Sequence, residues 1–338
     1  MLFRSSNLSG ELGNGTGISP TTPVSPTALG AVMFLAAGSK SSLAIRPDGN
    51  LFAWGSNSTG ALGLGVSSQK NVPIELLSDN LTEVNTFAAG GNHNLITQLS
   101  DSIHPSGSMW AWGSNTSGQL GAGNTLPYAE PHEVLSVPPF PPMLSSASSA
   151  AAGLDFSLVL KSDGTVLAAG QNTYGQLGRS LSVARSTTFY PIGSSVPASP
   201  VPIFGSVSAG RWHGLALTND RAKVFAWGYG SFGQLGNGTT PIQQMAPTEI
   251  TALSGAGLMT TIAAGQYHSM VRKDDGTVWA WGQNSYGQVG NTTSTDKKVP
   301  NQVGLPGAAL NANYSIAAGL NHNLAVRFDA TSTVASWG

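Results

Sequence analysis

The stretch Ala263–Gly290, AAGQYHSMVRKDDGTVWAWGQNSYGQVG, decides the fold. It holds two short runs rich in β-branched and aromatic residues, HSMVR and TVWAW, on either side of the polar turn Lys273-Asp274-Asp275-Gly276. That order predicts a β-hairpin. A second, glycine-punctuated turn follows from Gly282 to Gly290.

The rest of the chain repeats this stretch. An Ala-Ala-Gly mark (Ser-Ala-Gly in one copy) recurs with its glycine at Gly38, Gly90, Gly153, Gly210, Gly265 and Gly319. Three residues on stand Ser41, His93, Phe156, His213, His268 and His322, each leading a short apolar run. Turns follow at Asp48-Gly49, Asp163-Gly164 and Asp275-Gly276, with a longer version over 100–108. The second run closes on Ala-Trp-Gly or a variant at Trp54, Trp112, Ala169, Trp227, Trp281 and Trp337. An N-x-x-G-x-L-G exit turn then ends at Gly63, Gly121, Gly178, Gly236 and Gly290.

Between exit turn and next mark lie Pro-, Ser- and Thr-rich segments. They contain a short extended piece (Val72-Pro73-Ile74, Val134-Leu135, Tyr190-Pro191-Ile192, Pro247–Ile250, Val299-Pro300) and an apolar run entering the mark. Each unit therefore predicts about four short strands, with proline on an outer edge where its missing N–H costs little. Units begin near 36, 88, 151, 208, 263 and 317. Six four-stranded units in one domain predict an all-β β-propeller. The C-terminus stops at Trp337-Gly338 without an exit turn, whereas the N-terminus opens on one, Asn7-Leu8-Ser9-Gly10-Glu11-Leu12-Gly13. The two fragments predict a closed ring in which residues 5–30 complete the last unit.

Composition agrees with many strands and tight turns. Of the 338 residues, 43 are Gly, 20 are Pro and only 9% are charged, which disfavours amphipathic helices. The net charge of −1 offers no basic footprint for nucleic acid. The absence of cysteine excludes disulfides, thiolate metal sites and a cysteine nucleophile. No apolar run approaches the roughly 18 residues of a membrane span. Few charges with abundant Ser, Thr, Gly and Asn favour a bacterial protein that is secreted or held at the cell surface.

With these residues in view, Ala263–Gly290 closely resembles the repeat of the regulator of chromosome condensation family. The likeness rests on its A-x-G-x-x-H-x-x-A-L, D-G-x-V-x-x-W-G and N-x-x-G-Q-L-G segments, and it runs from about residue 5 to 338. It implies a β-propeller. Founding members have seven blades; the six units here leave open a six-bladed ring or a missing blade. Members of the family include a nuclear exchange factor for a small GTPase, bacterial secreted effectors and a secreted inhibitor of β-lactamase. The repeat therefore sets the fold and not the task.

Candidate chemistry weighs against an enzyme. His93, His213, His268 and His322 share one repeat position with Ser41 and Phe156, and no carboxylate recurs beside them, so they read as structural and no metal is assigned. Glycine-rich stretches such as 61–68 lack the G-x-x-x-x-G-K-[ST] order, and no G-x-S-x-G, H-E-x-x-H or Ser/His/Asp set occurs. No cofactor is assigned. The Pro138–Pro142 tract reads as an inter-blade loop.

Positions that the repeat leaves free are more informative. Two residues past each mark stand Lys40, Asn92, Asp155, Trp212, Tyr267 and Asn321; before the first glycine of each exit turn stand Ser9, Thr59, Ser117, Tyr174, Phe232 and Tyr286. Aromatics thus gather on consecutive units, and Tyr174, Trp212, Phe232, Tyr267 and Tyr286 are the candidate partner-binding residues. The reading is a monomeric, non-catalytic scaffold for a protein partner. The alternative is a guanine-nucleotide exchange factor for a small GTPase, with glycan or small-ligand binding third.

Overall fold

The computed structural model describes residues 7–20, 22–65, 68–76, 81, 84–99, 108–134, 144, 146–193, 202–255, 257–304, 313–328 and 334–338. The fold is an all-β propeller of repeated antiparallel sheets. Among the described residues, five sheets are four-stranded and the last has three strands; the lone helical turn is Thr251–Leu253. Contacts divide the chain into two compact units. One comprises Met1–Ser162, Ala169–Gln171 and Arg185–Phe189; the other comprises Asp163–Ala168, Asn172–Ala184 and Tyr190–Gly338.

The fifth sheet shows how a repeat folds. Its strands are Met259–Ala264, His268–Lys273, Val278–Gly282 and Lys297–Gln302, paired in chain order. The central turn is held by Lys273 N donating to Thr277 O at 2.9 Å and by Asp275 Oδ1 accepting from Thr277 N at 2.8 Å. The Asx side chain thereby replaces a backbone acceptor in the turn. Pairing of His268 with Gly282 brings the loop before the second strand and the exit turn after the third to one end of the sheet.

Prolines sit where edge geometry tolerates them. Pro73, Pro131, Pro191, Pro247 and Pro300 all lie in the fourth strand of their sheet, which pairs on one side only. Sequence puts the extended segment of the second unit at Val134-Leu135, but Val134 lies outside any strand and Leu135 lies outside the described residues. The strand there is Tyr128–Glu133, YAEPHE, and Val134 follows it as a buried side chain whose N–H donates to Met109 O. A polar edge strand has no apolar alternation to betray it.

The tryptophans explain how adjacent sheets lock. In the tryptophans that precede the third-strand glycine, the indole Nε1–H reaches back to a carbonyl of the preceding exit turn: Trp112 to Ala61 O at 3.0 Å, Trp227 to Gln176 O at 2.9 Å, Trp281 to Gln234 O at 2.8 Å and Trp337 to Gln288 O at 3.1 Å. Trp54 does the same with Glu11 O at 2.8 Å, so the N-terminal exit turn covers the first sheet. The same carbonyl accepts a second bond from the residue after the repeat histidine position, as in Ser269 Oγ to Gln234 O at 2.8 Å and Asn323 Nδ2 to Gln288 O at 2.7 Å. Both lone pairs of a buried acceptor are thereby used. Ala169 lacks the indole, and among the described residues Ser157 Oγ alone reaches Gln119 O, at 2.7 Å.

Except in the fourth unit, where Gly230 takes its place, the exit turns are built on a buried asparagine. Asn284 Oδ1 accepts from Val289 N at 2.8 Å while Nδ2 donates to Thr293 O at 2.7 Å and Thr295 O at 3.2 Å. Asn7, Asn115 and Asn172 repeat that pattern. Gly282, with φ +105°, could not carry a side chain, because an added Cβ would meet His268 Cα at 2.7 Å.

Residues 7–20 and 22–33 form turns and bends and add no strand. Residues 5 and 6, the long turn over 100–107 and the Pro138–Pro142 tract lie outside the described residues.

Candidate functional site

The repeat histidines belong to the architecture. His93 Nε2 lies 2.9 Å from Ser157 Oγ and His213 Nε2 lies 2.9 Å from Ser269 Oγ, each in the next sheet; His268 Nε2 lies 2.6 Å from Asn323 Oδ1. Ser157 and Ser269 already give their protons to Gln119 O and Gln234 O. Each hydroxyl must then accept from the imidazole, which places the proton on Nε2. Asn323 imposes the same tautomer on His268, since its Nδ2 donates to Gln288 O. Nδ1 of His93, His213 and His268 is buried without a partner among the described residues. A second proton would sit there unsatisfied, and burial accordingly pushes these imidazoles down to about 4, 3 and 4.

Each ring also dictates the glycine of its mark. A Cβ on Gly265 would fall onto His268 Cε1 and lie 2.6 Å from Gly319 O; one on Gly90 would lie 2.5 Å from both His93 Cε1 and Gly153 O. The backbones join at these points, with Gly91 N donating to Gly153 O at 2.9 Å and Gln266 N to Gly319 O at 3.2 Å. Among the described residues, no group of three or more His, Asp or Glu side chains converges to hold a metal ion.

Four of the candidate aromatics do converge, joined by a fifth ring. Tyr174 stacks at a tilt on Trp212 (5.0 Å between centroids) and on Tyr229 (4.9 Å). Trp212 meets Tyr229 edge-on at 5.6 Å and Tyr267 at 5.7 Å. Phe232 completes the set against Tyr267 at 4.9 Å and Tyr229 at 6.0 Å. All five rings are half-buried, each shielded by the others. These are the offset and edge-to-face arrangements that the ring quadrupole favours.

Two exit turns (one holding Tyr174, the other Tyr229 and Phe232) and two inter-strand loops supply the rings from one end of neighbouring sheets. The turns are rigid: Tyr174 N donates to Gln176 Oε1 at 2.8 Å and Phe232 N to Gln234 Oε1 at 3.0 Å. Burial raises the Tyr267 phenol above its ordinary range, while the nearby Arg211 cation opposes the shift. The guanidinium of Arg211 lies 4.7 Å from the Trp212 ring centre and 5.9 Å from that of Tyr267.

Tyr286 does not join them. It has the same local turn, with its N–H on Gln288 Oε1 at 2.8 Å, but it is 59% exposed, and no ring contact links it to the cluster among the described residues. Tyr229 and Arg211 were missed. Tyr229 follows the Trp-Gly pair, where other units carry Ser56, Ser114, Gln171 and Gln283; Arg211 follows the mark, where they carry Ser39, Gly91, Leu154, Gln266 and Leu320, none of them charged. Comparing those positions across the repeats would have found both.

The model of the RCC1-like domain matches residues 5–338. The chain belongs to the RCC1-like domain family. It is similar to the ultraviolet-B receptor UVR8 of Arabidopsis thaliana, 27% identical over 86% of this chain and 62% of the receptor. It is also similar to the secretion-regulating guanine nucleotide exchange factor of Bos taurus, 32% identical over 74% of this chain and 51% of that protein. A third relative, the E3 ubiquitin-protein ligase HERC2 of Mus musculus, is 30% identical over 94% of this chain, which spans 6% of the ligase. The chain thus spans less than two thirds of each of these relatives. Among solved structures, human WBSCR16 superposes with a TM-score of 0.81 at 22% identity, covering 96% of this chain and 81% of that one. Prp20p of Saccharomyces cerevisiae, described with its binding to Gsp1p and histones, gives 0.76 at 24% identity, covering 100% and 82%. These structural likenesses bear on the fold alone.

Proposed function

We propose that this protein is a non-catalytic propeller scaffold that binds a protein partner through the platform Tyr174, Trp212, Tyr229, Phe232 and Tyr267. One observation carries the reading: five half-buried rings from two exit turns and two loops gather at positions where most other units carry small or polar residues. Rings already locked against each other lose little freedom on binding, and Tyr and Trp are favoured interface anchors. The platform does not serve the core, where Trp227 and Trp281 are fully buried instead.

The test is retention of proteins on immobilised wild type, Trp212→Ala and Tyr267→Ala. Partners held by the wild type should be lost from both variants while their melting temperatures stay within a few degrees. Equal retention by all three would reject the platform. A second reading, guanine-nucleotide exchange, draws on the 32% identity to an exchange factor. Release of labelled GDP from a panel of small GTPases, accelerated by the chain, would establish it.

A further inference from the structure

We infer that the partner segment received by this platform presents an acidic side chain beside an apolar or aromatic one, the carboxylate engaging Arg211. The inference rests on the platform being the docking site. Arg211 is held rather than loose: its backbone N–H donates to Gln266 O at 3.2 Å, and its guanidinium lies over Trp212 at 4.7 Å. Stacking covers one face and buries Nε without a hydrogen-bond partner among the described residues.

No carboxylate pairs with Arg211 among the described residues, whereas Lys223 finds Glu249 at 2.9 Å and Arg46 finds Asp48 at 3.3 Å. The rings around it contribute phenol hydroxyls and π faces, none of which cancels a charge. In a chain with only 9% charged residues, a cation fixed over an aromatic floor marks the site's electrostatic preference. Guanidinium groups so placed receive carboxylates through their in-plane N–H fork while the stacked face stays covered. The neighbouring rings favour an apolar or planar side chain next to that carboxylate. A basic segment would bring like charge onto Arg211 and is disfavoured.

The probe is a displayed library of random peptides selected on the full chain, with Arg211→Gln and Trp212→Ala as parallel baits. Wild type should enrich peptides with Asp or Glu next to an aromatic or aliphatic residue. Those peptides should bind Arg211→Gln about tenfold more weakly, and their affinity should fall with added salt. Trp212→Ala should lose them altogether. Peptides that need Trp212 but show no acidic preference, or that bind Arg211→Gln unchanged, would overturn the carboxylate while leaving the platform intact. Peptides indifferent to Trp212, or no selective peptides, would overturn both.

Discussion

Lowering the pH should destabilise this protein through its buried imidazoles, well above the range in which carboxylates titrate. His93, His213 and His268 are held neutral, at about 4, 3 and 4 against an ordinary 6.5. The folded state therefore disfavours the charged form. Each histidine contributes stability that is fully present above 6.5 and is lost as the pH falls from 6.5 towards its own lowered value. At about pH 5 the unfolded imidazole is protonated and the folded one is not, and the difference is about 2 kcal/mol per histidine. Summed over the three sites, with His213 and His268 further disfavouring each other's charge, the loss is about 6 kcal/mol, comparable with the whole stability of many domains. Urea unfolding followed by tryptophan fluorescence between about pH 7.5 and 5 measures this directly. The midpoint should fall steadily over that window, with a slope corresponding to uptake of up to three protons by these sites on unfolding, to which His322, also lowered by burial, adds. His213→Gln should be less stable at neutral pH but show a shallower slope. A midpoint that stays level down to about pH 5 would refute the Nε2–H assignment and the burial argument behind it.

Other perturbations test the repeat piece by piece. Gly265→Ala places a Cβ onto His268 Cε1 without any change of backbone region, and should cost about 1–3 kcal/mol in denaturant titrations. Trp281→Phe keeps most of the buried ring but removes the donor to Gln234 O, and should lower stability by about 1–2 kcal/mol. Asn284→Ala strips the acceptor from Val289 N and the donors to Thr293 O and Thr295 O, a loss of about 2–4 kcal/mol. Tyr286→Ala, outside the cluster, should leave both melting temperature and partner retention unchanged.

Most of the fold was legible because a repeat states each constraint several times. The spacing from Gly265 through His268 and Trp281 to Gly290, echoed in the other units, specifies strand, turn, strand and exit turn by local chemistry. Proline in the fourth segment likewise announces an edge, since a missing N–H is tolerated only there. Tyr128–Glu133 escaped because a strand with polar side chains on an exposed edge leaves no periodic mark.

The candidate site was legible only in part. Sequence comparison showed which positions depart from the repeat, and so found Tyr174, Trp212, Phe232 and Tyr267. It could not separate them from Tyr286, which occupies an equivalent turn but points into open solvent, because ring contact depends on the packing of neighbouring sheets. It also passed over Tyr229 and Arg211, some of whose neighbours come from other units: Tyr174 lies 55 residues before Tyr229 in sequence yet 4.9 Å from it in space, and Tyr267 flanks Arg211. Local covalent geometry and turn chemistry act over a few residues and are written in the repeat. A shared platform is made by residues from several units, and only their tertiary packing brings those side chains together.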